Sequence, residues 1–113
     1  MEAWQAAIQA AQSRKAETIV VLNILEVSSF TEKFIICTGT NTRQSRAISD
    51  AIEQDLKQEG YRPLGVEGRQ NGQWILMDYG DFLVHIFSPA ARKFYDLERL
   101  WRMAPRVPIS EAA

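Results

Sequence analysis

The segment from residue 63 to residue 87 limits the folds open to this chain more than any other. It carries two turn signals, Asn71-Gly72 and Gly80-Asp81, set between runs of aliphatic, aromatic and β-branched residues. Asn-Gly is the strongest short-range hairpin signal, because a type I′ turn needs positive φ at both central positions. The spacing therefore predicts three consecutive strands over 64–69, 73–79 and 82–87.

Two more apolar runs lie upstream. Residues 18–24 (TIVVLNI) are β-branched and almost continuously apolar, the pattern of a strand covered on both faces. Residues 34–38 (FIICT) follow a polar link at 28–32 and close at Gly39, so the two runs are expected as neighbours in one sheet. Helical periodicity accounts for the rest. Trp4, Ala7, Ile8 and Ala11 recur at i, i+3, i+4 and i+7. A longer helix aligns Ala47, Ile48, Ala51, Ile52 and Leu56, with Asn41 or Thr42 as cap, Gln44 in a capping-box position and Gly60 after its end. A third begins at Ser88-Pro89, a capping Ser with Pro at the first helical position. Its stripe is Phe94, Leu97 and Trp101, and Pro105 and Pro108 end it.

The resulting order is αββαβββα. It predicts an α/β fold of the α+β type, a single domain whose mixed five-stranded sheet carries about three packed helices. A chain of 113 residues suits one domain. That domain is expected over 1–107, with 108–113 as a flexible tail.

Little in the composition points to catalysis. One cysteine, Cys37, allows no intramolecular disulfide and no cysteine-built zinc site, as in a reducing cytoplasm. The start of the chain has no basic, apolar leader, and no apolar run nears the roughly 20 residues that span a bilayer. His85, the one histidine, sits between Val84 and Ile86 in an apolar strand, which reads as a sheet residue rather than a general base. Cys37 reads as a small buried hydrophobe. Small mixed sheets also serve nucleotidyltransferases, whose Mg²⁺ chemistry needs paired carboxylates on one strand face. Asp78 and Asp81 are three apart across a glycine turn and do not meet that need. Gly39-Thr40-Asn41-Thr42-Arg43 could receive an anion, but there is no phosphate-binding G-x-x-x-x-G-K-[ST] loop.

Surface for binding remains. Trp74, Tyr79, Tyr95 and Trp101 lie among Glu67, Asp78, Asp81, Asp96 and Glu98, and aromatics beside charge make good interface anchors. Trp74 shares a strand face with Leu76 and Asp78, and a core face rarely carries an Asp. A net charge of −1, from 13 Lys and Arg against 14 Asp and Glu, argues against a free-standing nucleic-acid binder and for a basic protein partner.

Several motifs then fall in order at near-standard spacing. They are Ser29-Phe30-Thr31, Cys37-Thr38-Gly39-Thr40, Arg43-Gln44, Pro63-Leu64-Gly65-Val66-Glu67-Gly68, Trp74, Asp78-Tyr79-Gly80-Asp81, Val84-His85-Ile86-Phe87 and Tyr95-Asp96-Leu97-Glu98-Arg99-Leu100-Trp101. Together, over 3–107, they resemble the ribosomal silencing factor family, also called RsfS or Iojap-like. Asn23 and Asn41 depart from that pattern, where Asp and Ser are common. The resemblance implies a nucleotidyltransferase-like fold without its catalysis and without a cofactor or metal. It implies binding to the large ribosomal subunit through its fourteenth universal protein, on the face that meets the small subunit. The bound factor would obstruct subunit joining and repress translation when nutrients or energy run short. The surface so implied comprises Trp74, Asp78, Tyr79, Gly80 and Asp81, with Leu100 and Trp101 alongside. The free protein is expected as a homodimer, with limited direct RNA contact and no membrane. A small nucleotide-binding enzyme and a ribosome-assembly interaction module are the alternatives.

Overall fold

The computed structural model describes residues 1–109. Its elements are α1 (Ala3–Ser13), β1 (Glu17–Asn23), β2 (Lys33–Thr38), α2 (Thr42–Gln58), β3 (Gly65–Glu67), β4 (Trp74–Asp78), β5 (Phe82–Phe87), α3 (Pro89–Tyr95) and α4 (Leu97–Leu100). The five strands form one mixed sheet in the order β1-β2-β5-β4-β3, in which only β2 and β5 run parallel.

Side-chain alternation divides the sheet into two apolar faces. On the first, α1 and α2 pack on Val21, Ile35, Cys37, Ile75, Met77, Val84 and Ile86. On the second, Leu22, Phe34, Ile36 and Phe87 meet Ala91 and Ala104, with half-buried Trp74, Leu83, Leu97 and Trp101 at the margin. The near-continuous apolar runs of β1, β2 and β5 reflect this double cover. Cover of the second face thins toward β4 and β3. There Leu76 and Asp78 are half-buried, while Gly65 and Glu67 are exposed.

Local signals set the helix starts as expected. Asn41 caps α2, its Oδ1 accepting from the Gln44 backbone N–H at 2.8 Å, and Ser88 Oγ accepts from the Ala91 N–H at 3.0 Å. The Gln44 side chain does not complete a capping box. Its Oε1 accepts from Thr40 N and Oγ1, and its Nε2 donates to the carbonyls of Arg14 and Lys15, tying α1 to α2.

Two expectations are corrected. Asn71-Gly72 does not form a two-residue hairpin: β3 ends at Glu67, β4 begins at Trp74, and the register pairs Glu67 with Leu76. Gly68 and Gly72 take positive φ, +82° and +77°, but Asn71 does not. The cause is tertiary. Arg46 of α2 donates to the carbonyls of Arg69 and Gln70, and Arg69 pairs with Asp50 at 2.7 Å, so the loop is drawn onto α2. Gly68 passes so close to the Trp74 carbonyl that a Cβ would collide with it.

The third helix is not continuous. Asp96 adopts a left-handed conformation (φ +47°), closing α3 and starting the single turn of α4. The reset register keeps Leu97 and Trp101 on the sheet but leaves Phe94 80% exposed, outside the stripe in which the periodicity placed it.

The chain past residue 104, within the expected domain, is held to the sheet. Asn23 N–H donates to the Pro105 carbonyl and Val107 N–H to the Val21 carbonyl, both at 2.8 Å, so this segment straps the outer edge of β1. Val107 and Ile109 then pack on the first core. Residues 110–113, also expected in the tail, lie outside the described residues.

Candidate partner-binding site

The expected site residues divide between two places on the sheet. Trp74 opens β4 on the second face, where its indole meets Tyr95 at 4.5 Å and Phe87 at 5.0 Å between ring centroids. Its Nε1–H donates to His85 Nδ1 at 3.1 Å. His85 is buried, and desolvation pushes its pKa down to about 4, so it is neutral near pH 7. Phe34 packs edge-on to His85 at 4.7 Å and to Trp101 at 5.3 Å. A row of rings, Trp74–His85–Phe34–Trp101, thus joins the two tryptophans across the sheet. Leu100, next to Trp101, is 71% exposed.

Asp78, Gly80 and Asp81 lie at the far end of β4. Asp78 Oδ1 accepts from Gly80 N–H at 2.8 Å, and Tyr79 N–H donates to Phe82 O across the two-residue turn. Gly80 takes φ +85° at the first central position, as in a type II′ hairpin. The tip is braced from outside: Thr31 Oγ1 donates to Gly80 O at 2.9 Å and Glu32 N–H to Asp81 O at 3.0 Å. Asp81 is exposed.

Tyr79 departs from the group. Its side chain turns to the first face, stacks on Phe82 at 5.0 Å and packs against the α1–α2 core. Burial, helped by Glu53, pushes its phenol up to about 12. The structure therefore brings Trp74, Asp78 and Trp101 to one face, with Leu100 exposed beside Trp101, Gly80 and Asp81 at the rim and Tyr79 behind.

Sequence reasoning missed His85 as the partner of Trp74, although the Gly80-Asp81 turn held the signal. A two-residue loop there pairs Leu76 with His85 and Trp74 with Phe87, which puts Trp74 and His85 on one face. It also missed Arg92. That guanidinium donates to Glu98 Oε1 (2.9 Å), Thr38 Oγ1 (2.9 Å) and the Thr18 carbonyl (2.6 Å), fastening α3 to α4 and to β1 and β2.

Chemically, this face offers adhesion. Aromatic edges and half-buried aliphatics sit beside carboxylates on a braced scaffold, the makings of an interface anchor. Cys37 lies in the first core, where burial pushes its thiol up to about 12. Among the described residues no three His, Cys, Asp or Glu gather where they could hold a metal ion.

Known proteins share this sequence and fold. The family described as "Ribosomal silencing factor during starvation" matches residues 1–113. A ribosomal silencing factor, RsfS, from Chromobacterium violaceum is 37% identical over 84% of this chain and 78% of its own. A crystal structure of a Chromobacterium violaceum protein superposes with a TM-score of 0.87 at 33% identity, covering 100% of this chain and 96% of that one. The mouse protein named mitochondrial assembly of ribosomal large subunit protein 1 is 27% identical over 81% of this chain, which spans 42% of it.

Proposed function

The chain belongs to the ribosomal silencing factor family, and from that premise we propose that it represses translation by docking on the large ribosomal subunit. The docking face is the second face of the sheet, centred on Trp74, and the contact is with the subunit's fourteenth universal protein. Bound there, the domain occupies the side that meets the small subunit and keeps the two from joining.

The observation that carries this reading is the incomplete cover of the sheet beside Trp74. Trp74, Leu76, Asp78 and Leu83 are only half-buried on a face whose other half is packed. Large aromatics held in place by neighbours bind at low cost in side-chain entropy. A standard interface buries about 800 Å² per partner, a little over a tenth of the 6916 Å² exposed by this chain. Asp78 and Asp81 add register and speed of encounter with a basic ribosomal protein more than raw affinity. The mechanism is exclusion, which needs neither turnover nor cofactor.

Co-sedimentation of Trp74→Ala with purified large subunits tests the anchor. A hot-spot residue of this kind is worth about 2 kcal/mol or more, so binding should weaken at least about thirtyfold. A folded Trp74→Ala chain that binds like the wild type would remove Trp74 from the interface.

A further inference from the structure

The net charge of −1 conceals a segregation of charge along the chain. Residues 89–109 hold Arg92, Lys93, Arg99, Arg102 and Arg106 against only Asp96 and Glu98, so this arm is basic and the rest of the chain acidic. Glu98 is committed to Arg92 at 2.9 Å and to Arg106 at 3.4 Å. Among the described residues, Lys93, Arg99 and Arg102 have no ion-pair partner.

The arm also presents these cations outward. Leu97 and Trp101 hold it on the second core, while Arg99 and Arg102 are exposed on its far side. Arg102 Nη1 donates to the Arg99 carbonyl at 3.4 Å, which keeps the two adjacent. Arg106 follows, its side chain 64% exposed. The cluster adjoins the docking face, because Tyr95 of the same arm touches Trp74 at 4.5 Å and Trp101, between Arg99 and Arg102, packs on Phe34, which lies against His85, the hydrogen-bond partner of Trp74.

We propose that Arg99 and Arg102, flanked by Arg106, bind RNA phosphates at the margin of the surface centred on Trp74, so that the docking face meets protein and RNA side by side. This rests on the large-subunit reading above. The guanidinium fork matches phosphate oxygens in pairs, and phosphate is the most abundant anion that a ribosomal subunit displays. An anionic membrane fits less well. Trp101, between these arginines, packs on Phe34 near the start of β2, two residues from Glu32, whose N–H meets the Asp81 carbonyl, and such a surface would repel those carboxylates.

The test measures binding of the full chain to purified large subunits across a salt series, with hydroxyl-radical footprinting of the ribosomal RNA. Each phosphate contact contributes about 0.9 to the slope of log affinity against log salt. The double variant Arg99→Gln/Arg102→Gln should therefore flatten that slope by about 2 and lose a patch of backbone protection seen with the wild type. Lys57→Gln, on the exposed side of α2, should change neither. An unchanged slope in the double variant overturns the proposal, as does a slope change with no arginine-dependent protection, which would assign the arginines to an acidic protein. Arginine-dependent capture by phosphatidylserine vesicles without RNA protection would assign them to a membrane and also overturn it. Wild-type chain that fails to bind large subunits even at the lowest salt defeats the large-subunit reading itself, and this inference with it.

Discussion

The Trp74 indole N–H donates to Nδ1 of His85 across 3.1 Å, and that one bond couples the fold's buried histidine to the residue proposed as its docking anchor. An Nδ1 that accepts leaves the imidazole hydrogen on Nε2, a buried nitrogen with no partner among the described residues. Protonation would put a second hydrogen on Nδ1, facing the indole donor. The bond and the neutral ring therefore stand or fall together.

Acid should weaken the fold through this pair. The unfolded chain takes up a proton at its histidine near pH 6.5, whereas the folded chain resists until near pH 4. Stability should fall as pH drops through that window and stop falling on this account below it. The full effect is about 3 kcal/mol. Urea unfolding at pH 7 and pH 4.5 should show the loss, and His85→Gln should flatten it by removing the titrating group. An equal loss in the variant would place the pH dependence elsewhere.

The left-handed break at Asp96 should be sensitive to the residue that occupies it. A β-carbon without a helpful polar group costs roughly 1 kcal/mol in this conformation, so Asp96→Ala should destabilise by about that amount. Asp96→Gly, free of the clash, should sit close to the wild type or above it in thermal unfolding. Reversal of that order would mean that the α3–α4 break does not need left-handed geometry.

Arg92 should matter more than its half-hidden position suggests. Its ion pair with Glu98 is largely buried, with side chains 12% and 23% exposed. Arg92→Met leaves Glu98 to the more distant Arg106 and strands the Thr18 and Thr38 acceptors, at a cost of about 3 kcal/mol. Adding Glu98→Gln should recover part of that loss, because the buried carboxylate no longer lacks its charge partner. A double variant as unstable as the sum of the singles would show that the two side chains are not coupled.

How much could be read in advance follows from how local each signal is. The order of strands and helices was legible because alternation, caps and the Gly80-Asp81 turn act within a few residues. Asp78 on its face set Trp74 apart from the core in the sequence, yet the indole is half-buried and packs on the second core through Phe87 and His85. Asn71-Gly72 misled because Arg46 and Asp50, some twenty residues away, pull the loop onto α2 and override its turn preference. The break at Asp96 was hidden because Leu97 at the start of α4 and Trp101 at its C-cap keep helical spacing while Phe94 falls out of register. The strap at 105–107 left no pattern at all, since it is held by two backbone hydrogen bonds to β1. Tyr79 sits within the motif that the family resemblance supplied, but the alternation that puts Trp74, Leu76 and Asp78 on one face already assigns its ring to the other core.

The central claim is that this domain keeps the ribosomal subunits apart by holding the large one. The most direct measurement mixes purified large and small subunits under joining conditions with increasing amounts of the protein and resolves them on a sucrose gradient. The protein should migrate with the large subunit and deplete joined ribosomes in proportion, and Trp74→Ala should restore joining. Migration with the small subunit, or undiminished joining while the protein occupies the large one, would contradict the account.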